Sequence, residues 1–306
     1  MKFIQRLSFD LRRNRVLMLM MLPGIALLIV FKYLPMYGLL ISFQNYQLFR
    51  GFFASPWVGF RNFEKFFNDP FFFRLVRNTF VLGLYNILWT FPAPIMLAIL
   101  FNELRLMWFK RVVQTVSYIP YFISTVIIVG MLKSFLSTDN GVINNLIVML
   151  GAEKINFFSE PSWFRTIYIS SEIWQGVGYG SILYLAAITG IDQELYEASR
   201  IDGASRWQNI FHITVPCLIP TISILFIMRV GSIISVSFEK VYLMYSSATY
   251  ETADVIATYV YRMGIKSSNP NFSYASAVGI MNSIVSLILV WGANTFSRKF
   301  LEESLW

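Results

Sequence analysis

The chain has 306 residues, of which 56% are apolar, 17% aromatic and only 14% charged, against about 25% charged in soluble domains. This composition excludes an ordinary soluble domain, and a net charge of +8 in such a chain orients it in a bilayer instead of recruiting nucleic acid. One cysteine, Cys217, excludes an internal disulfide, and a single histidine leaves no His-rich metal site.

In chain order, Lys2, Arg6, Arg12, Arg13 and Arg15 precede an apolar run over 16–43. The run is too long for a signal-peptide core and no small-residue cleavage site follows it, so it reads as a retained first span. Pro23 and Pro35 predict bends within it, and Lys32 snorkels or faces a cavity. Residues 44–76 form an aromatic-rich connection, with Phe52, Trp57, Phe60 and Phe71 among its rings. It suits the interfacial belt and short helices lying along the membrane. Further spans are expected over 78–100, 112–135, 163–188, 217–236 and 274–296. Each is near the ~20 residues that cross hydrocarbon. The expectation is an all-α polytopic membrane protein, one domain over 1–306 with six transmembrane helices. Arg105, Lys110 and Arg111 in the short 101–111 loop place that side in the cytoplasm, and with it both termini and the loop after the fourth span. The margin is modest, because Arg50, Arg61, Lys65, Arg74 and Arg77 fall on the opposite side.

Between the fourth and fifth spans lies a polar loop over 189–216, whose Ile191–Pro216 segment carries strong helix signals. Asp192 is suited to cap a helix whose first turn holds Glu194, and Gly203 to close it in a left-handed conformation. Ser205 and Gln208 have capping-box spacing and open a second helix. On that helix Trp207, Ile210, Phe211 and Thr214 are expected on one face. Thr214-Val215-Pro216 then leads into the next span. A short helix-turn-helix on one side of a membrane is a docking element; amphipathicity alone would equally permit two helices lying on the bilayer.

Charges inside spans are costly and usually face a cavity or a partner. Arg229 and Glu172 fall at similar depth in antiparallel spans, so an ion pair between them is the structural expectation. The functional alternative puts Arg229 against a polar or acidic group of a solute, with Glu172, Trp174 or Tyr179 against a sugar. Gly176, Gly178 and Gly180 in the fourth span serve close helix packing or bending, or less simply a ligand. No phosphate-cradling G-x-x-x-x-G-K-[ST] occurs, and no catalytic constellation can be assembled from spacing. ATP-driven transport would therefore need a separate ATPase chain.

Glu197-Ala198-Ser199, then Asp202-Gly203-Ala204, then Ile213 and Pro216 resemble the EAA loop of ABC-importer permeases. Ser199 stands where that pattern has Ala, and Val215 where Leu often precedes the Pro. Leu34-Pro35-Met36-Tyr37-Gly38, Ser55-Pro56-Trp57-Val58-Gly59, Asn102-Glu103-Leu104 and Ala253-Asp254-Val255-Ile256 are similar to the carbohydrate branch of that family, LplB-type subunits in particular. The resemblance covers nearly the whole chain. It implies a type I, MetI-like transmembrane domain whose EAA coupling helix docks in a cytoplasmic ATPase. It also implies a second homologous permease, two copies of a sugar-type ATPase that hold ATP and Mg, and an extracytoplasmic solute-binding lipoprotein delivering an oligosaccharide. The setting implied is a bacterial cell membrane, commonly Gram-positive, with no cofactor in this chain. A permease for a non-sugar solute is the alternative, and then a secondary transporter, although neither two similar halves nor midplane coupling acids are evident.

Overall fold

The computed structural model describes residues 15–231 and 237–300. Lys2, Arg6, Arg12 and Arg13, the 232–236 end of the fifth expected span, and residues 301–306 lie outside the described residues. Every described element is helical, apart from one isolated antiparallel bridge between Gln44 and Trp57. The principal helices are α1 (Arg15–Phe43), α2 (Phe72–Glu103), α3 (Met107–Phe122), α4 (Thr125–Phe135) and α5 (Pro161–Thr189). After them come α6 (Gln193–Ile201), α7 (Arg206–Gly231), α8 (Phe238–Met244), α9 (Ile256–Tyr261) and α10 (Phe272–Phe300).

Among the described residues four helices, α1, α2, α7 and α10, are long and apolar enough to cross a membrane, and a fifth crossing is counted if α3 and α4 form one span. The expected straight span over 112–135 is instead this pair, bent by 100°. The cause is local: Pro120 has no N–H to donate, Ile119–Phe122 tightens into a 3-10 turn, and Ser124 leaves helical geometry to cap α4 by accepting the Ile127 N–H. α5, over the expected 163–188 span, is 29 residues long, or roughly 43 Å at 1.5 Å per residue. Its Ser, Gly, Gln and Glu172 make it too polar to pass on composition. The fifth expected span also differs, because it is continuous with the second helix of the polar loop. A π-turn at Ile210–Thr214 joins them, and Pro216, which lacks a donor, follows directly.

The chain divides into two compact units, one of Met1–Asn68 with Met263–Ile280, the other of Asp69–Arg262 with Met281–Trp306. In the first, α1 runs through Pro23 and Pro35 by way of a π stretch at Ile29–Tyr33 and a 3-10 end at Tyr37–Phe43. These are the adjustments by which helices re-satisfy carbonyls freed by proline. None of its apolar window is buried. The aromatic connection packs ring on ring, Phe43 against Phe60 and Phe63 at 5.5 and 5.2 Å, with the Asn62 amide donating to the Ser42 and Gln44 carbonyls. Many of its other rings, Phe49, Phe53 and Trp57 among them, remain exposed.

In the second unit α5 is central, flanked chiefly by α2. Leu82, Val129, Phe164, Tyr168, Val241, Met244 and Val255 form one apolar core; Ala98, Tyr184, Ile188, Ile191 and Leu218 form another at the far end of α5. The segment after α8 is tied to α2 through Asp254, whose buried carboxylate accepts from Arg262 at 2.7 and 3.1 Å, from Arg74 at 3.4 Å and from Thr258 at 3.1 Å. Burial disfavours the Arg262 charge, but the hydrogen bonds and charge of Asp254 outweigh it and hold the guanidinium above its ordinary range. Beside it, burial pushes the Tyr245 phenol up to about 12. Two buried-end guanidinium contacts on one carboxylate make this a rigid joint between α2 and the chain before α9.

Candidate functional site: a charged cavity and a paired-helix loop

A cavity of about 570 Å³ lies in the second unit between α2, α5, α7 and the α3–α4 bend. Glu172, Gln175, Gly176 and Tyr179 recur at helical spacing along α5 and all face it, and Arg229 enters from α7. Of the expected substrate-path residues, Glu172, Tyr179 and Arg229 are therefore brought together, whereas Trp174 lies outside the wall. The expected Arg229–Glu172 ion pair is not the one formed. Glu172 Oε1 lies 2.6 Å from Nζ of Lys240, which also donates to Gln175 Oε1 at 3.0 Å. Arg229 donates to Asn86 and, at 3.0 Å, to Thr90.

Depth matching put both charges in one cavity but could not anticipate a nearer cation arriving on α8. Lys240 lies beyond the fifth span in sequence, yet its side chain is only 1% exposed, with the Tyr168 ring 6.0 Å from its ammonium. Its sequence neighbourhood carried no signal for this. Gln175 was legible, being three residues after Glu172 on the same helix face, and so was the Asn86/Thr90 pair four apart on α2. Across the cavity Tyr121, at the α3–α4 bend, stacks on Tyr179 with centroids 3.9 Å apart and planes 6° from parallel. The glycines divide by role. A Cβ on Gly178 would collide with the Ser117 carbonyl and one on Gly180 would press on Pro94, so both permit close approach. Gly176 has open space and lines the cavity.

The polar loop forms as its caps require. Asp192 accepts the Glu194 N–H at 3.0 Å, Gly203 closes α6 at φ 79°, and Ser205 and Gln208 exchange both bonds of a capping box. The Tyr196 hydroxyl bonds Thr214 Oγ1 at 2.9 Å, pinning α6 to the π-turn of α7, and Ser199 donates back to the Tyr196 carbonyl. Glu197, Ala198, Asp202, Gly203 and Pro216 are exposed, Ser199 and Ala204 half-buried, and Ile213 packs on the Ala98–Leu218 core. The face expected of Trp207, Ile210, Phe211 and Thr214 splits in two, because the π-turn adds a residue to the repeat. Ile210 and Thr214 turn inward, while Trp207 and Phe211 stack on each other and remain 69% and 61% exposed. Leu195 and Ile201 of α6 are exposed as well. Among the described residues no group of three His, Cys, Asp or Glu could hold a metal.

Residues 90–302 match the family described as the binding-protein-dependent transport system inner membrane component. The protein LplB of Bacillus subtilis (strain 168) is 46% identical over 96% of this chain and 92% of its own. The polygalacturonan/rhamnogalacturonan transport system permease protein YteP of the same organism is 45% identical over 99% of this chain and 94% of its own. A permease chain of a bacterial alginate ABC transporter, solved in complex with an alginate pentasaccharide-bound periplasmic protein, superposes with a TM-score of 0.90 at 42% identity, covering 98% of this chain and all of that one. A bundle of apolar helices with an exposed paired-helix loop, matched by this family over most of its length, identifies the chain as a member of the binding-protein-dependent transport system inner membrane components.

Proposed function

We propose that the chain is one permease subunit of an ATP-driven importer of oligosaccharides, and of acidic ones in particular. The carrying observation is the pairing of Glu172 with Lys240, which leaves the wall of the cavity without a net negative charge to repel a uronate. Arg229, which donates to Asn86 and Thr90, lines the same wall, and the Tyr121–Tyr179 stack adds aromatic surface. Relatives named for alginate and for polygalacturonan, both acidic, support the same substrate class.

In this reading 1–306 is a single type I permease domain of six crossings, α5 being the sixth beside the five candidates. Both termini and the 189–216 loop are cytoplasmic. Glu197, Ala198, Ser199, Asp202, Gly203, Ala204, Ile213 and Pro216 form the coupling element, whose exposed Leu195, Ile201, Trp207 and Phe211 suit a cleft in an ATPase. The partners are a second homologous permease, two copies of a sugar-type ATPase that bind ATP and Mg, and an extracytoplasmic lipoprotein that delivers the sugar. The membrane is that of a Gram-positive bacterium, as for the Bacillus relatives. The test is uptake of an oligogalacturonate and of a neutral oligosaccharide of equal length by the assembled complex with its binding protein. Preference for the acidic sugar is expected; equal or reversed preference overturns the substrate class, and import of a non-sugar solute alone overturns the reading.

A further inference from the structure

A second cavity, of about 650 Å³, lies where three of the long helices end or begin: Asn102 and Glu103 close α2, Ile188 and Thr189 close α5, and Arg206 and Asn209 open α7. α2 and α7 are long and apolar enough to cross a membrane, so a cavity among their ends lies towards one side of the bilayer. Its wall holds three arginines, Arg105, Arg200 and Arg206, and one acid, Glu103. Among the described residues none of these four side chains makes a hydrogen bond or ion pair within the chain. Three guanidiniums gathered on separate elements repel one another and gain nothing from internal acceptors. A basic pocket between helix ends is where anionic lipid headgroups bind, and a guanidinium matches phosphate oxygens with two parallel hydrogen bonds. The flank agrees. Directly after Arg105, Leu106, Met107 and Trp108 are 73%, 61% and 74% exposed, a run suited to acyl chains and the interfacial belt and not to open water.

The geometry points to a site for the phosphate of an anionic phospholipid, held by Arg105, Arg200 and Arg206 against the ends of α2, α5 and α7. The cavity also includes Gln193, Tyr196 and Ala204 of the proposed coupling element, so a bound headgroup braces α6 against the bilayer surface. This consequence rests on the coupling reading; the lipid site itself does not.

The test uses the whole complex in nanodiscs of phosphatidylcholine alone or with phosphatidylglycerol, with lipid retained after detergent extraction measured by native mass spectrometry. Phosphatidylglycerol should be retained in preference to phosphatidylcholine. The Arg105→Gln/Arg206→Gln variant should lose that preference by roughly tenfold or more, the scale of a lost charge-assisted hydrogen bond. Lys110→Gln, which removes a charge from the start of α3 outside the cavity wall, should leave it unchanged. No preference in the wild type, or equal loss in Lys110→Gln, overturns the site. Equal competition by millimolar inorganic phosphate would assign it to a free anion and overturn the lipid. Sugar uptake by the wild-type complex separates the two readings: no lipid preference with normal uptake contradicts only the site, and absent uptake with a clear lipid preference contradicts only the importer.

Discussion

The ammonium of Lys240 sits 2.6 Å from the Glu172 carboxylate, with the lysine side chain 1% and the glutamate 23% exposed. One partner is thus sealed in the protein while the other faces the cavity. Removing the lysine leaves the Glu172 carboxylate at the cavity wall without its ion-pair partner. Lys240→Met should lower the yield of assembled complex by a destabilisation of about 1–3 kcal/mol, and Lys240→Met/Glu172→Gln should recover most of it. Thermal unfolding of the purified complex checks this; a double variant no better than the single would dissociate the two residues.

The glycines of α5 supply a packing contrast within five residues. Gly178→Ala drives a methyl into the Ser117 carbonyl and should destabilise by about 1–3 kcal/mol. Gly176→Ala meets nothing within 4 Å and should assemble normally. Its methyl enters the cavity, so any effect should appear in uptake alone. Comparing yield with uptake for the two variants decides it, and an assembly defect in Gly176→Ala would contradict the division.

Arg229→Ala removes the cation on α7 from the cavity wall. The complex should assemble, since Asn86 and Thr90 also bond each other. Uptake should fall more for an oligogalacturonate than for a neutral oligosaccharide, whereas Arg229→Lys, which keeps the charge, should retain most of the difference. An equal fall for both sugars would remove Arg229 from substrate selection.

Much of this was legible from residues near in sequence. The caps at Asp192, Gly203 and Ser205 are local devices with fixed spacing, and each forms as its spacing dictates. The co-location of Glu172 and Arg229 followed from depth alone, because antiparallel spans share a ruler. What sequence could not carry was long-range or conformational. Lys240 reaches Glu172 from a helix beyond the fifth span. The 100° bend near Pro120 and the π-turn at Ile210–Thr214 both break the 3.6-residue period on which face assignments depend. For that reason Trp207 and Phe211 part from Ile210 and Thr214.

The proposed function requires that α6 transmit the ATPase cycle to the spans. Glu197 is exposed on that helix, and Gly203 turns the chain at φ 79° with open space around its would-be Cβ. Glu197→Lys should therefore leave insertion and assembly intact while reversing charge against a docked ATPase; Gly203→Asp meets no clash but strains the left-handed turn by about 1–2 kcal/mol, a local cost outside the spans, while blocking that contact. The direct measurement is sugar uptake into proteoliposomes of the complex with its binding protein, with ATP supplied on the ATPase side and ion gradients collapsed. The wild type should import only when ATP is present, and both variants should be present at wild-type levels yet fail to import. Uptake that persists without ATP but stops when a proton or sodium gradient is collapsed, or wild-type uptake by either variant, would contradict the account.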